Sequence, residues 1–232
     1  MDDLDKMIMS LEGSLNLGPG GVPPELAPPA PPKADKKKEK ASKKEKVKGA
    51  KGGAKPKAGK PTPPPADYPS ICQIEFKVGK IVKVWEHPDA DKLWCEEIDC
   101  GEDEPRKICS GLRPYYSEEQ MLGHRLLVVA NLKAKNLKGF KSHGMVLCAS
   151  KDGKVQFIEP PEDAPLGEVV QFEGLPPTHP HSAAQVEKKK IFIEAAKSMV
   201  TNDAFEGTWD GHRFMTSAGP CKCIDIAGGE MH

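Results

Sequence analysis

Apolar side chains are spread unevenly along the 232 residues, and their spacing changes twice. Near the start, Leu4, Met7, Ile8 and Leu11 fall at helical intervals, which predicts a short helix over residues 4–12 before Gly13 weakens it. From there to residue 66 no apolar period persists. It returns after Tyr68 with period two. Phe76 to Trp85 mixes β-branched and basic residues in rough alternation, and Leu93 to Cys100 follows the turn sequence His87-Pro88-Asp89-Ala90-Asp91, so the two runs read as paired strands. Arg106 to Ser110 predicts a third strand and Ser117-Glu118-Glu119-Gln120-Met121 a capped helical turn. The continuous apolar run within Arg125 to Leu132 predicts a fully buried strand, and Gly144 to Ala149 and Val155 to Ile158 add further strands.

Short strands with one intervening helical turn predict a mainly β fold, a five-stranded Greek-key barrel of the OB type. Beyond it, Lys188 to Val200 carries apolar residues at 191, 192, 195, 196, 199 and 200, the pattern of one amphipathic helix. Thr208 to Phe214 reads as a hairpin about an Asp210-Gly211 turn, and Cys221 to Ile226 as a last strand. A unit of about 50 residues is too small to stand alone, so it is expected to pack on the barrel. The expected layout is an arm at residues 1–66, a barrel at 67–173 and a C-terminal extension at 174–232.

Composition changes at the same border. All 13 aromatic residues lie from Tyr68 onward, whereas 12 of the 23 prolines precede Asp67. A stretch without aromatics, rich in Pro, Lys, Gly and Ala, cannot bury enough apolar surface to offset its chain entropy, so disorder is expected there. The Pro-rich segments 19–32 and 61–65 bracket the lysines as extended spacers. The formal charge of zero is a cancellation: residues 33–60 hold 13 lysines against three acids, a net +10, and the remainder carries −10. This segment, with Lys36, Lys37, Lys38, Lys43, Lys44 and Lys46 at its centre, reads as a mobile arm adding salt-sensitive affinity for a polyanion, with nuclear targeting as a second use. No apolar run approaches the roughly 18 residues of a membrane span, the start is acidic, and the seven cysteines form no C-x-x-C pair, so a reducing, cytoplasmic setting without membrane contact is expected.

The strongest chemical signal is the segment Asn131 to Met145, which places Lys133, Lys135, Lys138 and Lys141 with Ser142 and His143 between two strands. At the end of a barrel these lysines form a basic rim suited to phosphates, and an exposed Phe140 or Met145 suits bases or sugars. His87-Pro88-Asp89 also marks J-domain co-chaperones, but there it joins helices and here it joins strands, so it reads as turn chemistry. His179-x-His181 and Cys221-x-Cys223 lack a zinc framework, and no nucleotide-binding glycine loop or nucleophile elbow is present; no metal, cofactor or enzymatic activity is expected.

Four groups of residues then carry a resemblance. Val78-Gly79-Lys80-Ile81, His87 through Leu93, Cys109-Ser110-Gly111-Leu112, and Asn131-Leu132-Lys133 through Lys138-Gly139 to Ser142-x-Gly144-Met145 together resemble the tRNA-binding domain family. Lys188-Lys189-Lys190-Ile191-Phe192 and Thr201-Asn202-Asp203 resemble the extension of its endothelial-monocyte-activating polypeptide II subgroup. The resemblance implies an OB-fold that binds the bent tRNA shape with little sequence preference and serves an aminoacyl-tRNA synthetase as auxiliary factor or appended domain. It also implies a monomeric core, because the extension stands where a second subunit sits in dimeric relatives. By motif position it points to Asn131, Lys133, Lys138, Ser142 and Met145 as RNA-facing, with Lys135 and Lys141 as basic neighbours and Lys77, Lys80 and Lys83 extending the surface. The alternative is a scaffold or cytokine-like polypeptide released from a synthetase complex. The cytokine-associated segment of the family begins with Arg where this chain has Lys77, so that activity is not carried over.

Overall fold

A computed structural model describes residues 68–232. The arm, its helix over 4–12 and its lysines lie outside the described residues.

The barrel is built from β1 (Phe76–Glu86), β2 (Trp94–Asp99), β3 (Arg106–Ser110), β4 (Arg125–Val129) and β7 (Met145–Val146), antiparallel in the order β3-β2-β1-β4-β7. Between β3 and β4 lies the one-turn helix α1 (Glu118–Met121), whose Ser117–Gln120 capping box matches the expectation. Alternation sorts the side chains. Ile81, Val84, Trp94, Ile98, Ile108, Leu126 and Val128 fill the interior with Met121 and Phe157. Gly79 leaves room in the barrel interior, since a Cβ there would meet Ile98 of β2 at 2.8 Å and Val128 of β4 at 3.2 Å. The two edges meet through Ser142, whose hydroxyl accepts from the Cys109 N–H at 3.1 Å and donates to the Gly144 carbonyl at 3.0 Å. His143 N–H also donates to the Lys107 carbonyl at 2.8 Å.

The basic segment is itself a hairpin rather than a loop. β5 (Lys135–Leu137) pairs with β6 (Phe140–Ser142), and its turn, Lys138-Gly139, has positive φ at both positions, 45° and 93°. That is the geometry that matches the twist of a two-residue hairpin.

The other faces of β1 and β4 carry Phe76, Val78, Leu127 and Val129, and these start a second core. It is completed by a larger sheet in which β8 (Cys148–Lys151) and β9 (Lys154–Phe157) continue into the C-terminal strands. These are β10 (Gln171–Phe172), β11 (Met199–Thr201), β12 (Gly207–Trp209), β13 (His212–Thr216), β14 (Gly219–Pro220) and β15 (Glu230–Met231). Phe76, Phe172 and Phe214 meet edge to face with centroids 4.8–6.0 Å apart, locking β1 to β10 and β13.

Two expectations for this region are corrected. The helix expected over 188–200 is shorter, α3 (Ile191–Ala196): it begins only after Lys190, which takes left-handed φ, ψ of 53°, 32°, and Met199 and Val200 belong to β11, while a separate helix that the pattern did not show, α2 (Ala183–Lys188), precedes it. The last strand is β15, not Cys221 to Ile226; there the chain is irregular, and only Lys222 bridges, to Glu159 and Glu206. The Asp210-Gly211 hairpin turn is as expected, with φ of 49° and 82°.

Asn131, fixed just past β4, is 7% exposed. Its Oδ1 accepts from the Glu75 N–H at 2.9 Å, and its Nδ2 donates to the Gln73 and His181 carbonyls, each at 3.0 Å. Asn131→Ala leaves the partly buried Glu75 N–H and His181 carbonyl without this partner, while the Gln73 carbonyl keeps the His181 N–H, so it should lower unfolding stability by about 1–3 kcal/mol in urea titration, against less than about 0.5 kcal/mol for the exposed Lys141→Ala. Glu96, fully buried inside the barrel, accepts from the Ser110 hydroxyl at Oε1 while Oε2 has no partner among the described residues. Burial pushes its carboxyl up to about 8, against a weaker downward pull from Ser110. The folded chain therefore keeps this proton where the unfolded chain has lost it. The contribution to stability is full below the ordinary value of 4.5 and declines as pH rises to about 8. Glu96→Gln should flatten that decline and exceed the wild type in stability above it; parallel urea midpoints for the two proteins across that window would contradict the assignment.

Candidate nucleic-acid interface

The β5–β6 hairpin is held against the barrel by the turn after β1. His87, 4% exposed, accepts at Nδ1 from the Asp89 N–H at 3.1 Å, so its Nε2 carries the proton and donates to the Leu137 carbonyl at 3.1 Å. Phe140 packs edge-on against Trp85 at 6.0 Å and His87 at 6.4 Å. The His-Pro-Asp turn thus works as a peg between the β1–β2 loop and the hairpin, the two loops that flank the ligand face of an OB barrel.

Opposite the hairpin stand α2 and α3. Between them runs a groove of about 120 Å³ with an apolar floor of Leu132, Leu137, Met145 and Phe192. Lys133 and Lys135 line one bank, and Lys190 and Glu187 the other. Lys133 Nζ reaches Glu187 Oε2 at 2.9 Å across the groove, both side chains remaining about half exposed. An exposed pair of this kind is worth at most about 1 kcal/mol, so it opens at little cost.

The expected site residues therefore separate. Lys133, Lys135 and Met145 line the groove. Lys138 sits at the hairpin turn and Lys141 on its outer face beside Asn136, both exposed. Ser142 also lines the groove and Asn131 does not, and the polar groups of both are used on backbone partners. Lys77 is held in ion pairs with Glu102 at 2.7 Å and Glu75 at 3.7 Å. Lys80 is exposed on β1, and Lys83 lies over the Trp85 ring at 4.9 Å and 3.9 Å from Glu97. None of these three lines the groove. The groove adds Lys190, which lies in the extension motif Lys188-Lys189-Lys190-Ile191-Phe192 but is not among the expected RNA-facing residues; its signal in the sequence is that lysine triplet directly before an apolar run.

Residues 76–169 match the family described as the putative tRNA binding domain. The chain is 44% identical over 180 residues to the tRNA-aminoacylation cofactor arc1 of Schizosaccharomyces pombe, covering 72% of this chain and 40% of that protein. It is 35% identical over 161 residues to the cytoplasmic tyrosine–tRNA ligase of Xenopus tropicalis, covering 68% of this chain and 30% of the ligase. It thus spans well under half the length of these relatives. The crystal structure of the C-terminal domain of Plasmodium vivax p43 superposes with a TM-score of 0.66 at 33% identity, over 70% of this chain and 98% of that one. With that domain covered almost end to end and the barrel strands inside the matched segment, this chain belongs to the tRNA-binding domain family.

Proposed function

We propose that the chain is a non-enzymatic tRNA-binding auxiliary factor or appended domain that brings tRNA to an aminoacyl-tRNA synthetase in the cytoplasm. The observation that carries this reading is the groove with lysines on both banks and an apolar floor, beside the pegged hairpin. Lysines at fixed separations read the backbone of a folded RNA by shape, and apolar side chains between them take up a sugar or an unstacked base. In this reading Lys133, Lys135, Lys138, Lys141 and Lys190 contact phosphates and Met145 contributes the apolar surface. Asn131 and Ser142 act as positioning residues that fix the backbone under it. The extension occupies the outer face of β1 and β4, which supports a monomeric core. The lysines of residues 33–60 add electrostatic capture.

Filter binding of unfractionated tRNA to the full chain tests this. Lys133→Ala with Lys190→Ala should weaken binding about tenfold and lower the salt slope by about 2, since each phosphate left without its lysine keeps roughly one counterion. Removing residues 33–60 should lower that slope further. His87→Ala frees the hairpin and should weaken binding without changing charge. Unaltered affinity in the lysine pair would remove the groove from the site, and a chain that binds a synthetase but no RNA at moderate salt would establish the scaffold alternative.

A further inference from the structure

His87, Cys95 and Cys109 bring one ring nitrogen and two sulfurs within 4.8 Å of one another, and all three are buried. Among the described residues this is the cluster of three such donors that the fold assembles. Strand register explains it. Cys95 and Cys109 are partners across β2 and β3, and Trp85 of β1 stands opposite Cys95. Cys109 N–H bonds to Ser142 and the Lys107 carbonyl to His143, so the main-chain groups of residues 107 and 109 point away from β2. Cys95 and Cys109 are therefore a non-hydrogen-bonded pair, the kind whose Cα atoms approach to about 4.5 Å and whose side chains lie closest. Trp94, Ile98 and Ile108 alternate with them and fill the barrel interior. The two sulfurs thus lie on the outer face, beneath the hairpin and next to His87.

We propose that His87, Cys95 and Cys109 form a binding site for a thiophilic d10 cation of the zinc type. A nitrogen and two sulfurs are the donor set such ions select. At bond lengths of about 2.0–2.3 Å, tetrahedral ligands stand roughly 3.4–3.8 Å apart, so the cluster closes on an ion by contracting about 1 Å. The orientation of His87 suits the role: Nε2–H is tied to the Leu137 carbonyl, which is the outer-shell hydrogen bond that fixes a ligating imidazole and leaves Nδ1 as donor. Nδ1 now accepts from Asp89 N–H; Asp89 is exposed, so water replaces the ring as that amide's partner. Cys109 lines the groove, which gives the ion a route in and supplies a water as fourth ligand. Binding releases the two thiol protons to solvent and leaves two thiolates on the divalent ion. The bound ion joins β2, β3 and the turn after β1 directly under the hairpin that carries Lys138 and Lys141. The spacing of 87, 95 and 109 matches no zinc framework, which is why the sequence suggested no metal.

The test needs no RNA. The full chain, reduced and stripped with a chelator, is titrated with Cd2+ while the thiolate-to-cadmium charge-transfer absorption is followed, and Zn2+ is then added in competition. The wild type should take up one ion per chain, lose the band to Zn2+, and melt at higher temperature with Zn2+ present. Cys95→Val with Cys109→Val, which keeps the packing apolar, should abolish the band while circular dichroism stays native. His87→Ala should weaken uptake at least tenfold, and Cys221→Ser should leave it intact. Absence of uptake with both thiols titratable overturns the proposal, as does a band that survives in the double valine variant. Recovery of a Cys95–Cys109 disulfide in place of ion binding overturns it too.

Discussion

Phe76, Val78, Leu127 and Val129 form an apolar face on the outside of the barrel, and that face has to be covered. β4 and the first part of β1, Phe76 to Gly79, are covered on both sides, so a barrel ending at residue 173 would expose several large side chains to water, each worth about 1.5–3 kcal/mol when buried. The extension meets that need through Phe214, which closes edge to face on Phe76 and Phe172, and through β15, which pairs with β8. Asn131 joins the same junction by polar means, spanning the end of β4, the segment before β1 and the start of the extension. The extension is therefore part of the folding unit rather than an appendage.

Once this face is covered, the position of the groove follows. The extension reaches β11 by way of α2 and α3, and the Trp209 indole ties the end of α3 to β12 through the Ala195 carbonyl at 3.1 Å. The break at Lys190 turns α3 so that Ile191, Phe192 and Ala195 enter the second core while Lys190 stays on the groove. On the other bank the hairpin is held by His87 from below and Ser142 at its root. Two elements far apart in sequence thus present lysines across an apolar floor, and the Lys133–Glu187 pair shows how near the banks are.

The parts of the fold with local chemistry were legible in the sequence. The capping box at Ser117, the Asp210-Gly211 turn and the apolar run before Asn131 each carry their own instructions, and the family motifs tied them into a barrel. What escaped depended on tertiary context. Lys190 takes a left-handed conformation that its sequence neighbours do not signal, and Met199 and Val200 are drawn into β11, so the helix read over 188–200 shrinks to α3 and α2 was missed. Cys221, Cys223 and Ile226 look like a strand face, yet they are buried by an irregular segment that leaves the pairing to β15. At the site, charge alone places lysines such as Lys133, Lys138 and Lys141 at the surface, and they are exposed there. Asn131 and Ser142 were read as RNA-facing because a polar residue in a binding motif looks the same in sequence whether it meets a ligand or the protein's own backbone. The cluster of His87, Cys95 and Cys109 depends on strand register, which spacing does not disclose.

The neutral overall charge conceals an uneven distribution in which a +10 lysine segment at residues 33–60 precedes an acidic body that carries a local basic rim. On the proposed function, the hairpin and the extension helices form one RNA surface. Amide hydrogen exchange of the full chain with and without tRNA tests it most directly. A shared surface predicts added protection in two separate stretches, residues 132–145 and 186–193, with little change in β11 to β13. Protection confined to the hairpin, or appearing on the far strands instead, would contradict it.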